Sequence, residues 1–65
     1  MLKSTIYHAD QSQELSGAQE GALLDAGVIA RVGENLGHLE YAICTGFTWA
    51  DVDAVLARLA QASAA

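Results

Sequence analysis

One cysteine, two histidines and eight carboxylates stand out in this 65-residue sequence as side chains that could do nucleophilic, acid–base or metal chemistry. Cys44 has no second cysteine to pair with, so any chemistry there would be that of a thiolate. Helical phase places Cys44 near a helix C-terminus, whose dipole raises a thiol pKa and favours an inert core residue. His8 and His38 could bind a metal together with Glu34 or Glu40. The spacing of Glu34 and His38, four residues apart, is more simply that of a surface pair on a helix. Asp25 falls on the apolar face by phase, where a carboxylate needs a partner such as a backbone amide, a tyrosine hydroxyl or Lys3 of a neighbouring chain.

No glycine-rich loop precedes a Lys-Ser or Lys-Thr pair. No nucleophile has a histidine and an acid at recognisable spacing. The expectation is therefore a protein that is not an enzyme, with no catalytic, cofactor-binding or metal residues and no cofactor.

Three basic residues, Lys3, Arg31 and Arg58, stand against eight acidic ones for a net charge of −5. That sign opposes a phosphate backbone, which makes nucleic acid an unlikely partner. The sequence has neither a signal-like apolar region at its start nor an 18-residue apolar run, so no membrane partner is expected. A lone thiol fits a reducing compartment, and the expected location is cytoplasmic.

These residues need elements to hold them. Residues 1–15 show no sustained period and read as an N-terminal arm, although Thr5, Ile6 and Tyr7 could form a short strand. Ser16 stands three residues before Gln19, the spacing of a capping box, so a helical domain is predicted over 16–65, with helices at about 17–45 and 49–62. Val28, Val32, Leu36, Leu39 and Ile43 keep a 3–4 spacing along the first helix. Beside them runs a stripe of small residues, Ala22, Ala26, Ala30, Gly33 and Gly37. The second helix is opened by Thr48 with Asp51 three positions on, and sets Val52, Val55, Leu56 and Leu59 on one face.

Glycines inside a helix each cost roughly 1 kcal/mol relative to alanine. Close packing against a partner helix would offset Gly33 and Gly37, the alternative being that Gly33 to Gly37 is simply a break that splits the helix in two. Gly21 and Gly27 lie off the stripe, and neither reading accounts for them. The two stripes form an apolar arc too wide for one short helix to cover. An unbroken helix over 17–45 would also run about 43 Å, beyond the roughly 28 Å of a compact chain of this length.

The expected fold is all-α, a long helix and a shorter one in a helical hairpin that pairs as a homodimer into a four-helix bundle. Its dimer contacts would be Ala26, Ala30, Gly33, Gly37, Leu36, Leu39 and Ile43. Two alternatives are a compact three-helix domain of helix-turn-helix type and an α+β fold with a hairpin at 28–45. The hairpin is the weaker because a lone two-stranded ribbon has little to cover it.

Residues 42–55 look like a helix-turn-helix, with Gly46 at the turn, yet the reading helix would open on Asp51 and Asp53 with only Arg58 as a base. Phe47 and Trp49 at that corner form a possible partner site. Together these features predict a small acidic non-enzymatic module for protein–protein interaction or oligomerisation, whose partners are itself and an unidentified protein. The alternatives are a helix-turn-helix transcriptional regulator and a small-ligand or enzymatic role at a subunit interface.

Overall fold

Ala9 and Asp10 both take left-handed backbone angles, φ 51° and 62°, the two-residue reversal whose twist suits a tight β-hairpin. In the computed structural model, which describes residues 3–64, they join β1 (Lys3–His8) to β2 (Gln11–Leu15). The stretch expected to be an arm is thus half of a sheet. After it come α1 (Gly17–Asp25), β3 (Ile29–Asn35), β4 (His38–Ile43) and α2 (Trp49–Ala64). The strand order is β2-β1-β4-β3, with β1 parallel to β4 and the other neighbours antiparallel.

This α+β fold replaces the expected all-α bundle, and the reason begins at Gly27. The capping box forms as its spacing predicts: Ser16 Oγ accepts from the Gln19 amide at 3.2 Å, and the Ser16 amide donates to Gln19 Oε1 at 2.9 Å. The helix then runs only to Asp25. Gly27 sits at φ +74°, its amide donates to the Leu24 carbonyl, and the Val28 amide donates to that of Leu23. That pair of bonds is the Schellman closure of a helix, and the accompanying apolar contact comes from Leu23 and Val28, both buried.

Beyond Gly27 the chain is extended, and Leu36 and Gly37, at φ 51° and 77°, reverse it into the β3–β4 hairpin. The 3–4 stripe along 28–43 is therefore not a face. Val28 and Ile43 are buried while Val32 and Leu36 are 66% and 99% exposed. The hairpin at 28–45 is not a lone ribbon, because β1 lies against β4, with Ser4 beside Leu39 and Ile6 beside Tyr41.

The helix-turn-helix also loses its first helix, since residues 38–43 form β4. Gly46, at φ +92°, makes a reverse turn in which the Phe47 amide donates to the Cys44 carbonyl. Thr48 then opens α2: its amide donates to Asp51 Oδ2 at 2.8 Å and its Oγ1 accepts from the Ala50 amide.

Strand alternation sends Ile6, Leu15, Ile29, Tyr41 and Ile43 to one side of the sheet. There they meet Leu23 of α1 with Val52 and Val55 of α2, while Leu39, Trp49 and Leu56 pack at the margin. Ile6, Leu23 and Val52 are completely buried, each worth about 1.5–3 kcal/mol against exposure. One copy thus supplies its own core, which removes the ground for a bundle built with a twin. Ala26, Ala30, Gly33 and Gly37 share no helical face: Ala26 caps α1, Ala30 and Gly33 lie in β3, and Gly37 is in a turn.

Candidate functional site

With both helices on one side, the other side of the sheet is left open. Lys3, Thr5 and Tyr7 of β1 point to it by alternation, as do Ser12 and Glu14 of β2 and His38, Glu40 and Ala42 of β4. The registers arrange them in rows. Glu14, Thr5, Glu40 and Gly33 form one, and Lys3, His38 and Asn35 another. Tyr7 stands beside Ser12 with nearly half its surface exposed.

At the centre of this face the Thr5 hydroxyl and His38 Nε2 lie 2.6 Å apart in a hydrogen bond whose donor is set by the ring tautomer. The Tyr7 ring stands 6.4 Å from that of His38, tilted by 39°. Glycine at position 33 leaves room for the Glu40 carboxylate, since a Cβ there would meet Glu40 Oε1 at 3.1 Å. A threonine paired with a histidine suggests a nucleophile and its base, but Thr5 is only 4% exposed, out of reach of a substrate. The pair satisfies a buried hydroxyl and fixes the ring of His38 against Tyr7.

The covered side carries a second polar cluster. Glu20 of α1 accepts from Ser4 Oγ on β1 and from the Tyr41 hydroxyl on β4, each at 2.5 Å. Those bonds, that of Ser4 first, hold the Glu20 carboxyl below its ordinary pKa. Burial pushes the Tyr41 phenol up, and the hydrogen bond and charge of Glu20 add to the shift. The cluster ties α1 across the two central strands, so its evident role is to hold the helix on the sheet.

Of these two clusters only His38 and Glu40 stand among the candidates by residue type, and as metal ligands with His8 rather than as partners of Thr5 and Gly33. The signal for both clusters lay in Ser4-Thr5-Ile6-Tyr7, whose β-branched and aromatic residues favour a strand and whose alternation sends Ser4 and Ile6 to one face and Thr5 and Tyr7 to the other. The expected partner corner is divided. Phe47 is 37% exposed, whereas Trp49 packs against the core and its indole donates to the His8 carbonyl at 3.1 Å. The His8 ring stands edge-on to it at 6.4 Å.

Of the expected dimer contacts, Leu39 and Ile43 belong to the core side, while Leu36 and Gly37 form the tip of the β3–β4 hairpin. Asp25, the last residue of α1, is exposed rather than on an apolar face. Glu34 lies opposite Leu39 and His38 opposite Asn35, so Glu34 and His38 are not a helical pair. Cys44 is half-buried, and its amide continues the ladder to the Val28 carbonyl at 2.8 Å.

Among the described residues no three His, Cys, Asp or Glu side chains gather as a metal site, and no helix is long and apolar enough to cross a membrane. A depression of about 470 Å³ lies along Tyr7–Ser12, walled by the β1–β2 hairpin alone. Against family models, curated proteins and solved structures the chain finds no match.

Proposed function

We propose that this domain is a non-enzymatic protein-interaction module that uses its sheet, the open face and the free edges, as the contact surface. The observation that carries this reading is the placement of both helices on one side, which leaves Tyr7, its neighbours and an outer strand to a partner. Tyrosine is a common anchor at such surfaces, with a large ring and few rotatable bonds. Beneath it the Thr5 hydroxyl and His38 Nε2 are already hydrogen-bonded to each other, so covering that pair strands neither atom. A reader of DNA is disfavoured by the charge of −5 and by the strand where a first helix was expected. An enzyme is disfavoured by the burial of Thr5. We place the protein in the cytoplasm, where its single thiol would stay reduced.

The test is photo-crosslinking in the native cell, with a photoreactive phenylalanine analogue at Tyr7 or Ser12 of the open face, or at Arg58 or Gln61 on the exposed side of α2. Protein adducts are expected from the first two positions and not from the last two. Adducts from α2 alone, or from none of the four, would overturn the reading.

A further inference from the structure

We propose that two copies of this chain pair through β2, antiparallel and centred on Gln13, to make one continuous eight-stranded sheet. The proposal rests on the reading of the sheet as contact surface and names a partner for its edge.

The sheet ends on β2 at one side and β3 at the other. Edge strands offer unpaired amides and carbonyls, which proteins commonly shield with bulges, prolines or lysines. Edge β3 is shielded: its pairing with β4 skips a residue between Arg31 and Gly33, leaving Val32 as an extra residue, and such a bulge bends a strand away from a flat partner. Edge β2 has no such device. Its residues, Gln11-Ser12-Gln13-Glu14-Leu15, include no lysine or proline, and its register with β1 runs unbroken from Ser4↔Leu15 to His8↔Gln11.

The hairpin geometry decides which groups are free. With a two-residue turn, the closing pair His8 and Gln11 exchange both hydrogen bonds, and the pattern alternates from there. Gln11, Gln13 and Leu15 therefore spend their main-chain groups on β1. Ser12 and Glu14 point theirs outward. The other side of β1 agrees, since the Lys3 amide, which the same alternation turns away from β2, donates to the Gly37 carbonyl just before β4.

Three two-fold registers are open to such an edge. Centring on Glu14 sets two carboxylates opposite each other, and centring on Ser12 sets Asp10 opposite Glu14; like charges directly opposite are destabilising. Centring on Gln13 sets each copy's Ser12 opposite the other's Glu14. Both outward residues of both copies are then used, four main-chain hydrogen bonds form, and each carboxylate faces a hydroxyl that can donate to it. Gln13 meets its own counterpart at the close, non-hydrogen-bonded position of the ladder.

That position tests the register. In a Cys44→Ser background, Gln13→Cys is expected to give a disulfide-linked dimer in a glutathione redox buffer, because side chains at close antiparallel positions stand within disulfide reach. Ser12→Cys and Gln11→Cys in the same background should stay reduced. A linked dimer from Ser12→Cys, or none from Gln13→Cys, overturns the register.

Glu14→Pro tests the edge itself, because it deletes an outward amide that β1 does not use and edge strands accept proline there. Losing two main-chain hydrogen bonds, one per copy, should weaken the dimer about 30-fold in sedimentation equilibrium, with the circular dichroism unchanged. A wild-type chain that stays monomeric up to millimolar concentration overturns the proposal. So does a dimer indifferent to Glu14→Pro, which would mean that the copies meet elsewhere. In either case the crosslinks from Tyr7 and Ser12 still decide the broader reading.

Discussion

The Tyr41 hydroxyl on β4 donates to the Glu20 carboxylate on α1 at 2.5 Å, and this bond joins the first helix to the strand that receives β1 in parallel. Tyr41 is buried, and a hydrogen bond to a charged group is worth more than one between neutral partners, about 1.5–3 kcal/mol. Tyr41→Phe keeps the ring and removes the donor. It should lower stability by about 1–2 kcal/mol, since Ser4 still serves the carboxylate. Urea unfolding should show a lower midpoint with an unchanged slope.

The same pair sets two limits in pH. Glu20 is held below its ordinary value of 4.5, so the folded state releases this proton more readily than the unfolded chain does. Its contribution is present above that ordinary value and is lost as pH falls through the depressed one. Tyr41 is raised above 10.0, so its contribution is present below 10.0 and is lost as pH rises toward the raised value. Urea midpoints measured against pH should fall at both ends. Glu20→Gln should remove this residue's share of the acid limb and reduce the alkaline loss.

Two glycine substitutions should have opposite signs. Gly27 sits at φ +74° with open space around it, so Gly27→Ala costs only the left-handed backbone, about 1 kcal/mol or somewhat more. Gly21 lies inside α1, exposed and also with open space around it, and Gly21→Ala should stabilise by about 1 kcal/mol. Thermal unfolding of the two variants should move in opposite directions.

Leu36 occupies the first position of the β3–β4 turn at φ 51° while almost fully exposed. Asparagine tolerates that conformation better and, followed by Gly37, makes the preferred pair for such a turn. Leu36→Asn should therefore raise the urea midpoint by the equivalent of about 0.5–1 kcal/mol. An unchanged or lower midpoint would show that the exposed leucine makes a stabilising contact.

What could be read from residues alone was mostly local. The caps at Ser16/Gln19 and Thr48/Asp51, and the apolar stripe of α2, involve neighbours within one or two turns, and the sequence displays such neighbours directly. The misleading pattern is local as well. Val28, Val32, Leu36, Leu39 and Ile43 fit a helical period, while what breaks that period lies outside the stripe: Gly27 as a Schellman glycine, and β1 as cover for the hairpin. Parallel pairing of Ile6 with Tyr41 joins residues far apart in sequence, and no periodicity within either segment encodes it. The open-face cluster was hidden for the same reason, since Thr5 and His38 meet only once β1 lies beside β4. The thiol, carboxylates and histidines that stood out by type are dispersed over different elements.

Amide hydrogen exchange along β2, followed residue by residue by NMR as the protein is concentrated, tests most directly the claim that two copies of this protein meet at the β2 edge of the sheet. The account predicts slow exchange at Gln11 and Gln13 throughout, with Ser12 and Glu14 fast in dilute solution and increasingly protected as concentration rises. Ser12 and Glu14 that stay fast at every concentration, or protection that appears instead on the exposed side of α2, would contradict it.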